Sequence, residues 1–428
     1  MIKILVLSYF FPPCALTASN RVFGIVTNLH RFGIYPIVIT RHWQKKVANR
    51  DDLLTTTQSE IQHICYEGYE VYYLPYRSSL RDRLLLNSDK VKLFSLLSKI
   101  LTLIYLISEP LTNLFVPFSN IYSFSKKYLS ENKDVKYVFV SGNPFVLFKF
   151  GYKLQKAFAI SWIADYRDSW TTNKMAIGVR RFNMYLYKLY RFFEKKWVNT
   201  AVFFTSVSDH YVDQIQGIVK TPGHTIYNGY LKRKNYSEFS DSQTFNILYS
   251  GTLYYNQPLE AFIAFLKKYH FKIAGKEVNL YFAGLGFDKK QTKRLQDLSI
   301  NYENKIHILP WDTQASYAQL QTQMDLLLLF PYQGFKGIPT SKLFDYVATT
   351  KNILLFKTDS DVIASILRDS GLGFVANTDD QAYDYISTLI KHKYSSSSFL
   401  TVDDEKIEKY SILCQTEFLA QLIKKEKV

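Results

Sequence analysis

The stretch Lys3-Ile-Leu-Val-Leu-Ser-Tyr-Phe-Phe-Pro-Pro13 begins with a short apolar run and ends in a loop that contains two prolines. The run is shorter than the apolar core of a secretory signal, and no small-residue cleavage site follows it. We therefore interpret it as a first β-strand, followed by a helix that begins near Ala18. A strand, a loop and a helix in this order are typical of an α/β fold.

Apolar runs of strand length recur along the chain, separated by segments of helical length. This alternation predicts parallel sheets covered by helices on both faces. The runs form two series on either side of the polar segment 231–243, which shows no periodicity. The first series is Ile4–Leu7, Ile37–Thr40, Val71–Leu74, Tyr137–Ser141, Trp162–Ala164 and Val202–Thr205, and the second is Phe245–Ser250, Val278–Ala283, Ile306–Leu309, Leu326–Phe330 and Ile353–Phe356.

Two series of strands predict an α/β protein with two doubly wound, Rossmann-like domains that face each other across a cleft. We place the first domain at residues 1–230 and the second at residues 231–404. Residues 405–428 then form a closing helix, from Glu405 to Lys425, that packs back toward the first domain. In such sheets a ligand binds at the carboxyl ends of the strands.

Composition limits the compartment and the partners. The three cysteines lie far apart without CxxC spacing, which indicates neither a disulfide framework nor a zinc site and favours the cytoplasm. Lys and Arg outnumber Asp and Glu by 53 to 37, which makes an anionic partner plausible: nucleic acid, a membrane surface or an anionic small substrate. The sequence contains no zinc finger, no RNP-like aromatic signature and no basic arm, so we predict no nucleic-acid partner.

One segment, from Leu80 to Lys127, combines apolar runs with basic residues. Its most apolar part, Leu93 to Ser108, is interrupted by Lys99 and is shorter than the roughly 20 residues that span a bilayer. We predict no transmembrane helix, but peripheral contact with an anionic membrane on its cytoplasmic side. The aromatic and basic helix predicted from Arg180 to Val198 could also lie on lipid, but we expect its apolar face to pack in the core.

Polar residues follow several strands of the first series. Asp165-Tyr-Arg-Asp-Ser-Trp170 places two carboxylates, an arginine and an indole just after a strand, where they suit sugar hydroxyls, a phosphate and a sugar face. The alternative is a structural turn in which Asp165 and Asp168 pair with Arg167. We predict that Asp165, Arg167 and Asp168 are catalytic, and that Pro13, Ala18, Ser19, Arg21, Asn143 and Trp170 line the acceptor side or its loops.

The stretch from Gly337 to Ala348 is a Gly-, Pro-, Thr- and Ser-containing loop that opens a helix. Lys342 and Asp345 lie three residues apart and therefore on one helix face. Lys342 could neutralise a diphosphate, and Asp345 could accept hydrogen bonds from ribose hydroxyls. The alternative is a capped helix with a Lys342–Asp345 ion pair. Gly251 also follows a predicted strand, where it could expose backbone donors to a pyrophosphate.

Together these stretches resemble family 4 glycosyltransferases, particularly those of capsule, O-antigen or exopolysaccharide biosynthesis. The chain opening, the Asp-x-Arg-Asp-x-Trp pattern and the donor motif around Lys342 carry the resemblance, with Asp345 where the family usually has a ribose-binding Glu. The resemblance implies a GT-B fold and metal-independent hexosyl transfer with retention, from a nucleotide-diphosphate sugar, UDP or GDP most readily, to a polysaccharide or lipid-linked acceptor. The implied donor-binding residues are Gly251, Thr252, Gly284, Pro310, Trp311, Gly337, Ile338, Pro339, Thr340, Ser341, Lys342 and Asp345.

The chain departs from the family pattern at four places. It has Ala15 to Ala18 where a Gly-Gly pair is usual, Thr252 and Gln257 where an Arg and a Lys are common, and Gly337 where a further Glu is widespread. A non-catalytic homologue that binds nucleotide sugars, or a nucleotide-sugar epimerase of the same general fold, therefore stays open. We interpret Asp359-Ser-Asp361, which has the DxD spacing of some metal sites, as a helix cap, and we predict neither a metal nor another cofactor.

Overall fold

The computed structural model describes residues 1–43, 51–88, 91–172, 181–234, 243–285, 288–309, 314–358, 360–394 and 403–426. The chain divides into two compact units. The first comprises Met1–Tyr227 together with Gln415–Val428, and the second comprises Asn228–Cys414.

The first unit is built on an eight-stranded sheet with the order β3-β4-β2-β1-β5-β6-β7-β8. All neighbouring strands pair in parallel except β3 and β4, which form an antiparallel edge hairpin. Its elements are β1 Ile2–Ser8, α1 Thr17–Leu29, β2 Ile34–Arg41, β3 Gln62–Tyr66, β4 Tyr69–Leu74, α2 Leu80–Leu86, α3 Lys92–Ser108, α4 Asn120–Glu131, β5 Val135–Gly142, α5 Val146–Phe158, β6 Ser161–Tyr166, α6 Arg181–Val198, β7 Phe203–Ser206, α7 Asp209–Gln216 and β8 Gly223–Thr225.

The second unit contains a seven-stranded sheet in which β9 lies between β11 and β13, and β12 pairs with β11. The short strand β10 is antiparallel to β11, and the other pairs are parallel. Its elements are β9 Thr244–Ser250, α8 Leu259–Lys268, β10 Lys272–Ile273, β11 Lys276–Ala283, α9 Lys289–Ser299, β12 Ile306–Leu309, α10 Gln314–Gln323, β13 Leu326–Leu329, α11 Ser341–Val347, β14 Ile353–Phe356, α12 Val362–Ser370, β15 Gly373–Ala376, α13 Asp379–Tyr394 and α14 Asp404–Glu408, and the last helix of the chain is α15 Ile412–Lys425.

Each predicted apolar run coincides with a strand, because a parallel strand covered on both faces must be apolar along its length. In β1, for example, Ile4, Leu5, Val6 and Leu7 have no exposed surface. In each sheet the order of the strands reverses near the centre, between β1 and β5 in the first sheet and between β9 and β13 in the second. Loops at the carboxyl ends of these strands border the crevice where doubly wound sheets bind ligands.

The closing helix is not continuous, contrary to the prediction. It is divided into α14 and α15, because the chain turns at Lys409 and Tyr410 and Ser411 then forms a parallel bridge with Tyr230. The N–H of Tyr230 donates to the carbonyl of Tyr410 at 3.1 Å, and the N–H of Ile412 donates to the carbonyl of Tyr230 at 2.9 Å. Gly229 beside this bridge has a φ of +63°, and a Cβ there would lie 2.9 Å from the Ile412 nitrogen. Gly229 is therefore fixed by close backbone contact.

Helix α15 also makes contacts within the first unit. The side-chain oxygen of Gln415 accepts a hydrogen bond from the N–H of Tyr227 at 2.8 Å, and Phe418 meets the ring of His224 edge-on. In the described parts of the chain, no helix is both long enough and apolar enough to cross a membrane.

Candidate functional sites

Two glycines bring the ends of β9 and β11 together. Gly251 has a φ of +96° and donates its N–H to the carbonyl of Ala283 at 2.7 Å, and Gly284 has a φ of +88°. A Cβ at Gly284 would lie 3.1 Å from the Gly251 Cα, and a Cβ at Gly251 would lie 2.8 Å from Cε of Lys342. The two glycines and Lys342, which are far apart in sequence, therefore form one site that leaves no room for further side chains.

Lys342 lies in the first turn of α11 and is 9% exposed. Its Nζ donates to the carbonyl of Thr252 at 2.7 Å and lies 5.3 Å from the ring centre of Tyr249. Among the described residues, no carboxylate forms an ion pair with Lys342. Burial lowers the pKa of the Lys342 ammonium to about 8, since the charged form loses its hydration. The site therefore contains a buried cation without a directly paired carboxylate among the described residues, although the negative charge of Asp345 acts on it from a distance.

Asp345 pairs with Lys234 and not with Lys342. Nζ of Lys234 lies 3.6 Å from the Asp345 carboxylate and donates to the Asp345 carbonyl at 2.9 Å. It also donates to the side-chain oxygen of Gln321 at 2.6 Å. The alternative of an i,i+3 ion pair within α11 is therefore not observed. About half of the Asp345 side chain stays exposed, so it can accept further hydrogen bonds.

The loop after β9 is held by Gln257. This side chain is buried, and its oxygen accepts from the Tyr249 hydroxyl at 2.9 Å and from the Tyr254 N–H at 3.0 Å. Gln257 therefore supports the loop that carries Thr252. The chain therefore has a structural amide at this position and not a cation that could contact a ligand.

The loop before α11 is anchored to a neighbouring helix. Gly337, with a φ of +76°, donates its N–H to the carboxylate of Asp361. Asp361 stands at the N-cap position of α12, where its side chain makes no capping hydrogen bond. In the remainder of the loop, Pro339 and Thr340 are buried, Ile338 is half-buried and Ser341 is exposed. Pro310, Trp311 and Asp359 lie outside the described residues.

In the first unit, Asp165 is the centre of a buried polar cluster. Its carboxylate accepts from Nε and Nη2 of Arg21 at 3.0 and 2.7 Å, from the Ser141 hydroxyl at 2.8 Å and from the Thr205 hydroxyl at 2.7 Å. Arg21 also donates to the carbonyl of Ile226 at 2.7 Å. Asp165 has no exposed surface, so this geometry favours a positioning role over direct contact with a substrate.

Arg167 and Asp168 follow β6 and form an ion pair with each other. Half of the Asp168 side chain is exposed, whereas the Arg167 guanidinium is mostly covered and lies 5.6 Å from the ring centre of Phe10. The N–H of Arg167 donates to the carbonyl of Gly142 at 3.3 Å, next to the exposed Asn143. The loops after β1, β5 and β6 therefore meet, as expected at a point where a doubly wound sheet reverses.

The other predicted residues of this side differ in exposure. Pro13 is exposed and Ala18 is half-buried, whereas Ser19 is buried and donates its hydroxyl to the carbonyl of Cys14 at 2.7 Å. The indole of Trp170 stacks on Phe145 at 5.1 Å and on Trp197 at 5.8 Å. Trp170 therefore packs the loop against α5 and α6, which is a structural role.

Sequence reasoning missed two residues, Lys234 and Glu194. Lys234 lies in the polar segment that was interpreted only as a boundary. Glu194 is fully buried in α6 and accepts a hydrogen bond from the Thr171 hydroxyl, beside the loop of Arg167. Burial raises the pKa of Glu194 to about 7, and the hydrogen bond from Thr171 opposes this only in part. The sequence signal for Glu194 was a single acidic residue among the aromatic residues of the predicted helix.

One group of potential metal ligands occurs among the described residues. His63, Cys65 and Glu70 lie on the edge hairpin β3–β4, with their ligand atoms within 4.8 Å of one another. His63 and Glu70 already contact each other at 2.8 Å, and neither Lys342 nor Asp165 belongs to this group. We assign it no part in the chemistry of the two sites.

No family model and no curated protein matches this sequence. Solved structures match it over nearly its whole length. Sucrose-phosphate synthase from Thermosynechococcus elongatus has a TM-score of 0.63 at 11% identity and covers 99% of each chain. Anabaena HepE in complex with UDP has a TM-score of 0.61 at 11% identity, over 99% of this chain and 100% of that one. α,α-Trehalose-6-phosphate synthase from Burkholderia multivorans has a TM-score of 0.58 at 9% identity, over 100% and 99%.

At these identities the likeness establishes the fold alone. The chain has the GT-B fold, with two Rossmann-like units that each contain a parallel sheet. The predicted fold class is confirmed.

Proposed function

We propose that this protein is a glycosyltransferase that moves a sugar from a nucleotide-diphosphate sugar to a polysaccharide or lipid-linked acceptor. The observation that carries the proposal is the buried ammonium of Lys342 beside Gly251 and Gly284. The similar structure of Anabaena HepE was solved with UDP and with UDP-glucose, which supports a donor of this class.

The donor diphosphate would lie against Lys342. A buried cation without a directly paired carboxylate gains much from an anion, because the charge pair is poorly screened there. As the sugar bond breaks, negative charge grows on the diphosphate, and a preorganised ammonium stabilises that charge in the transition state. The open backbone at Gly251 and Gly284 lets the phosphates approach closely. On this proposal no metal is needed to neutralise the leaving group.

The nucleoside would be oriented by Asp345. Its carboxylate, half-exposed and fixed by Lys234, can accept hydrogen bonds from two ribose hydroxyls. Such contacts do not distinguish uracil from guanine, so both UDP and GDP sugars are candidate donors. The remainder of the loop from Gly337 to Ser341 would complete this side.

The acceptor and the transferred sugar would be contacted from the first unit. We assign these contacts to Asp168 and Arg167, with Asn143 and Pro13 at neighbouring strand ends. Asp165 would act through Arg21, by holding the polar cluster behind these loops. Retention of the anomeric configuration, a hexosyl donor and membership of family 4 are parts of this proposal that follow from the resemblance of the motifs.

The place of action is the cytoplasmic side of a membrane, with the protein attached peripherally. The three cysteines form no disulfide, which agrees with a reducing compartment. A lipid-linked acceptor would require the site to work close to a bilayer.

The test is an assay of nucleotide release from UDP- and GDP-sugars, with and without a lipid extract that contains acceptors. Transfer predicts release that depends on the acceptor and is lost in Lys342→Met, which keeps the aliphatic stem but removes the charge. Lys289→Met, at an exposed lysine of the same unit, is the matched control.

Two other outcomes would replace the proposal. Binding of the sugar nucleotide without any release would favour a non-catalytic homologue. Conversion of the donor sugar in the absence of acceptor would favour an epimerase.

A further inference from the structure

Helix α3 turns its hydroxyl groups toward the protein, beside half-buried apolar side chains such as Leu101 and Leu106. Ser98 is buried, and the hydroxyl of Thr102 accepts a hydrogen bond from Nε of Arg81 at 2.9 Å. The carbonyl of Leu106 accepts from the Tyr190 hydroxyl at 2.9 Å. Lys149, from α5, donates to the carbonyls of Glu109 and Thr112 just after the helix ends. Polar contacts therefore hold α3 on the first unit.

The opposite side of α3 is apolar and exposed. Its members recur at intervals of three and one residues, which places them on one helix face. We name this surface the α3 stripe. It consists of Leu93, Leu96, Leu97, Ile100, Leu103, Ile104 and Ile107, which are 57%, 56%, 38%, 47%, 36%, 41% and 42% exposed.

Two leucines that follow the helix, Leu111 and Leu114, are also 63% and 78% exposed. A helix on the surface of a globular protein normally turns its apolar face inward. In α3 the exposed side is apolar as well, and an exposed apolar surface of this kind marks an interaction site.

The charge next to the stripe indicates the partner. Helix α3 contains no acidic residue, and Lys92 and Lys99 are exposed along one flank of the stripe. On a helical projection these two lysines lie within about 90° of the centre of the stripe, so their ammonium groups reach its edge. Arg83 on the adjacent helix α2 is exposed too, and the whole chain carries a net charge of +16. This surface is complementary to negative charge.

We propose that the α3 stripe docks the protein on an anionic lipid bilayer. Helix α3 cannot cross the bilayer, so it lies in the interface plane, with Leu93, Leu96 and Ile100 among the acyl chains. Lys92 and Lys99 extend to the lipid phosphates. The inference deepens the proposed function, because a lipid-linked acceptor lies in the same surface, but its test needs no turnover.

The first test is sedimentation of the purified full chain with phosphatidylcholine vesicles, with and without phosphatidylglycerol. The wild-type protein binds the anionic vesicles at low salt, and added salt weakens the binding. The triple variant Leu93→Gln, Leu96→Gln, Ile100→Gln binds about a hundredfold more weakly, because three aliphatic side chains no longer bury apolar surface in the lipid. Gln keeps helix propensity, so α3 persists.

The matched control is the double variant Ile61→Gln, Ile300→Gln, at two aliphatic residues that are 51% and 56% exposed outside the stripe. It binds vesicles like the wild-type protein. An equal loss of vesicle binding in the triple and the double variant would contradict the proposal, since binding would then follow general surface hydrophobicity.

The second test concerns charge. Lys92→Glu with Lys99→Glu weakens binding to the anionic vesicles tenfold or more, because two cations are lost from the anionic surface and each Glu adds repulsion. Lys289→Glu with Lys293→Glu makes the same charge change on an exposed helix of the second unit and leaves binding unchanged.

Three further results would overturn the inference: no binding of the wild-type protein to anionic vesicles at low salt, equal effects of the two charge variants, or a dimer in solution that the Gln triple variant dissociates while no vesicle binding occurs. The last result would assign the α3 stripe to a second copy of the chain. Nucleotide binding measured on the same samples separates this failure from a failure of the proposed function.

Discussion

Lys342 is buried and donates a hydrogen bond to a backbone carbonyl, and no carboxylate of the described residues pairs with it. Its pKa of about 8 in the folded protein is below the ordinary lysine value of 10.5. In the free protein this group therefore contributes stability above pH 10.5 that is lost as the pH falls through about 8. A bound diphosphate reverses the preference, because the anion favours the charged ammonium.

We expect the affinity for a nucleoside diphosphate to fall as the pH rises through about 8, with proton uptake on binding above that pH. Calorimetry at pH 7 and pH 9, in buffers of different ionisation enthalpy, measures both effects. In Lys342→Met this fall should vanish. If the wild-type affinity is the same at pH 7 and pH 9, Lys342 does not contact the phosphates.

Asp165 and Asp168 are close in sequence and opposite in environment. Asp165→Asn leaves the Arg21 charge buried without its partner, so we expect a loss of about 3–5 kcal/mol in the free energy of unfolding. Asp168→Asn removes the negative charge from the partly exposed ion pair with Arg167, so the free energy of unfolding should fall by about 1 kcal/mol or less. Urea denaturation of both variants provides the comparison. Similar losses of stability in the two variants would show that Asp165 does not have a greater structural role than Asp168.

The sequence shows which residue types follow each strand, but not which of them meet. Asp165 lies on a predicted strand end, whereas its partner Arg21 is 144 residues away. The partner of Asp345 is Lys234, in a segment without periodicity. Pairing of this kind depends on the order of strands in the sheet, which local patterns do not encode.

Among the elements, the turns after β9 and β11 impose the tightest constraint. Gly284→Ala places a Cβ against the backbone of Gly251 in a conformation that L residues rarely adopt. We expect a loss of about 1–3 kcal/mol in stability together with weaker nucleotide binding. Gly275→Ala is the control, since Gly275 has a φ of +80° but no atom within 4 Å of its added Cβ.

Gly275→Ala measures the cost of the positive φ alone, and it should leave nucleotide binding intact. The difference between the two variants, from thermal unfolding and calorimetry, is the cost of crowding at the strand ends. If the two variants have equal stability and equal nucleotide binding, the turns after β9 and β11 can separate freely, which would contradict the close contact between Gly251 and Gly284.

Central strands could be predicted from the sequence, and edge elements could not. Every apolar run became a strand because both of its faces are covered. Strand β3 was missed because it lies at the sheet edge with most of its residues exposed. The closing helix was predicted as one element because its apolar spacing continues past Ser411, where a bridge to Tyr230 interrupts it.

At the scale of the whole molecule, two series of strands sufficed to predict two Rossmann-like units. The division of the last helix could not be predicted. The chain leaves the first unit after Tyr227 and returns to it at Gln415, so α15 begins in one unit and continues in the other. The segment between β4 and β5 has no counterpart in the recognised motifs, and it carries the α3 stripe.

The central claim is a nucleotide-sugar donor site at Lys342, and its most direct test is calorimetric binding of UDP and GDP at pH 7 in buffer with a chelator. We predict that at least one nucleotide binds without metal, that Lys342→Met weakens this binding by about 1–3 kcal/mol, and that Lys289→Met does not. If neither nucleotide binds, or if both variants bind like the wild-type protein, the donor site is not at Lys342.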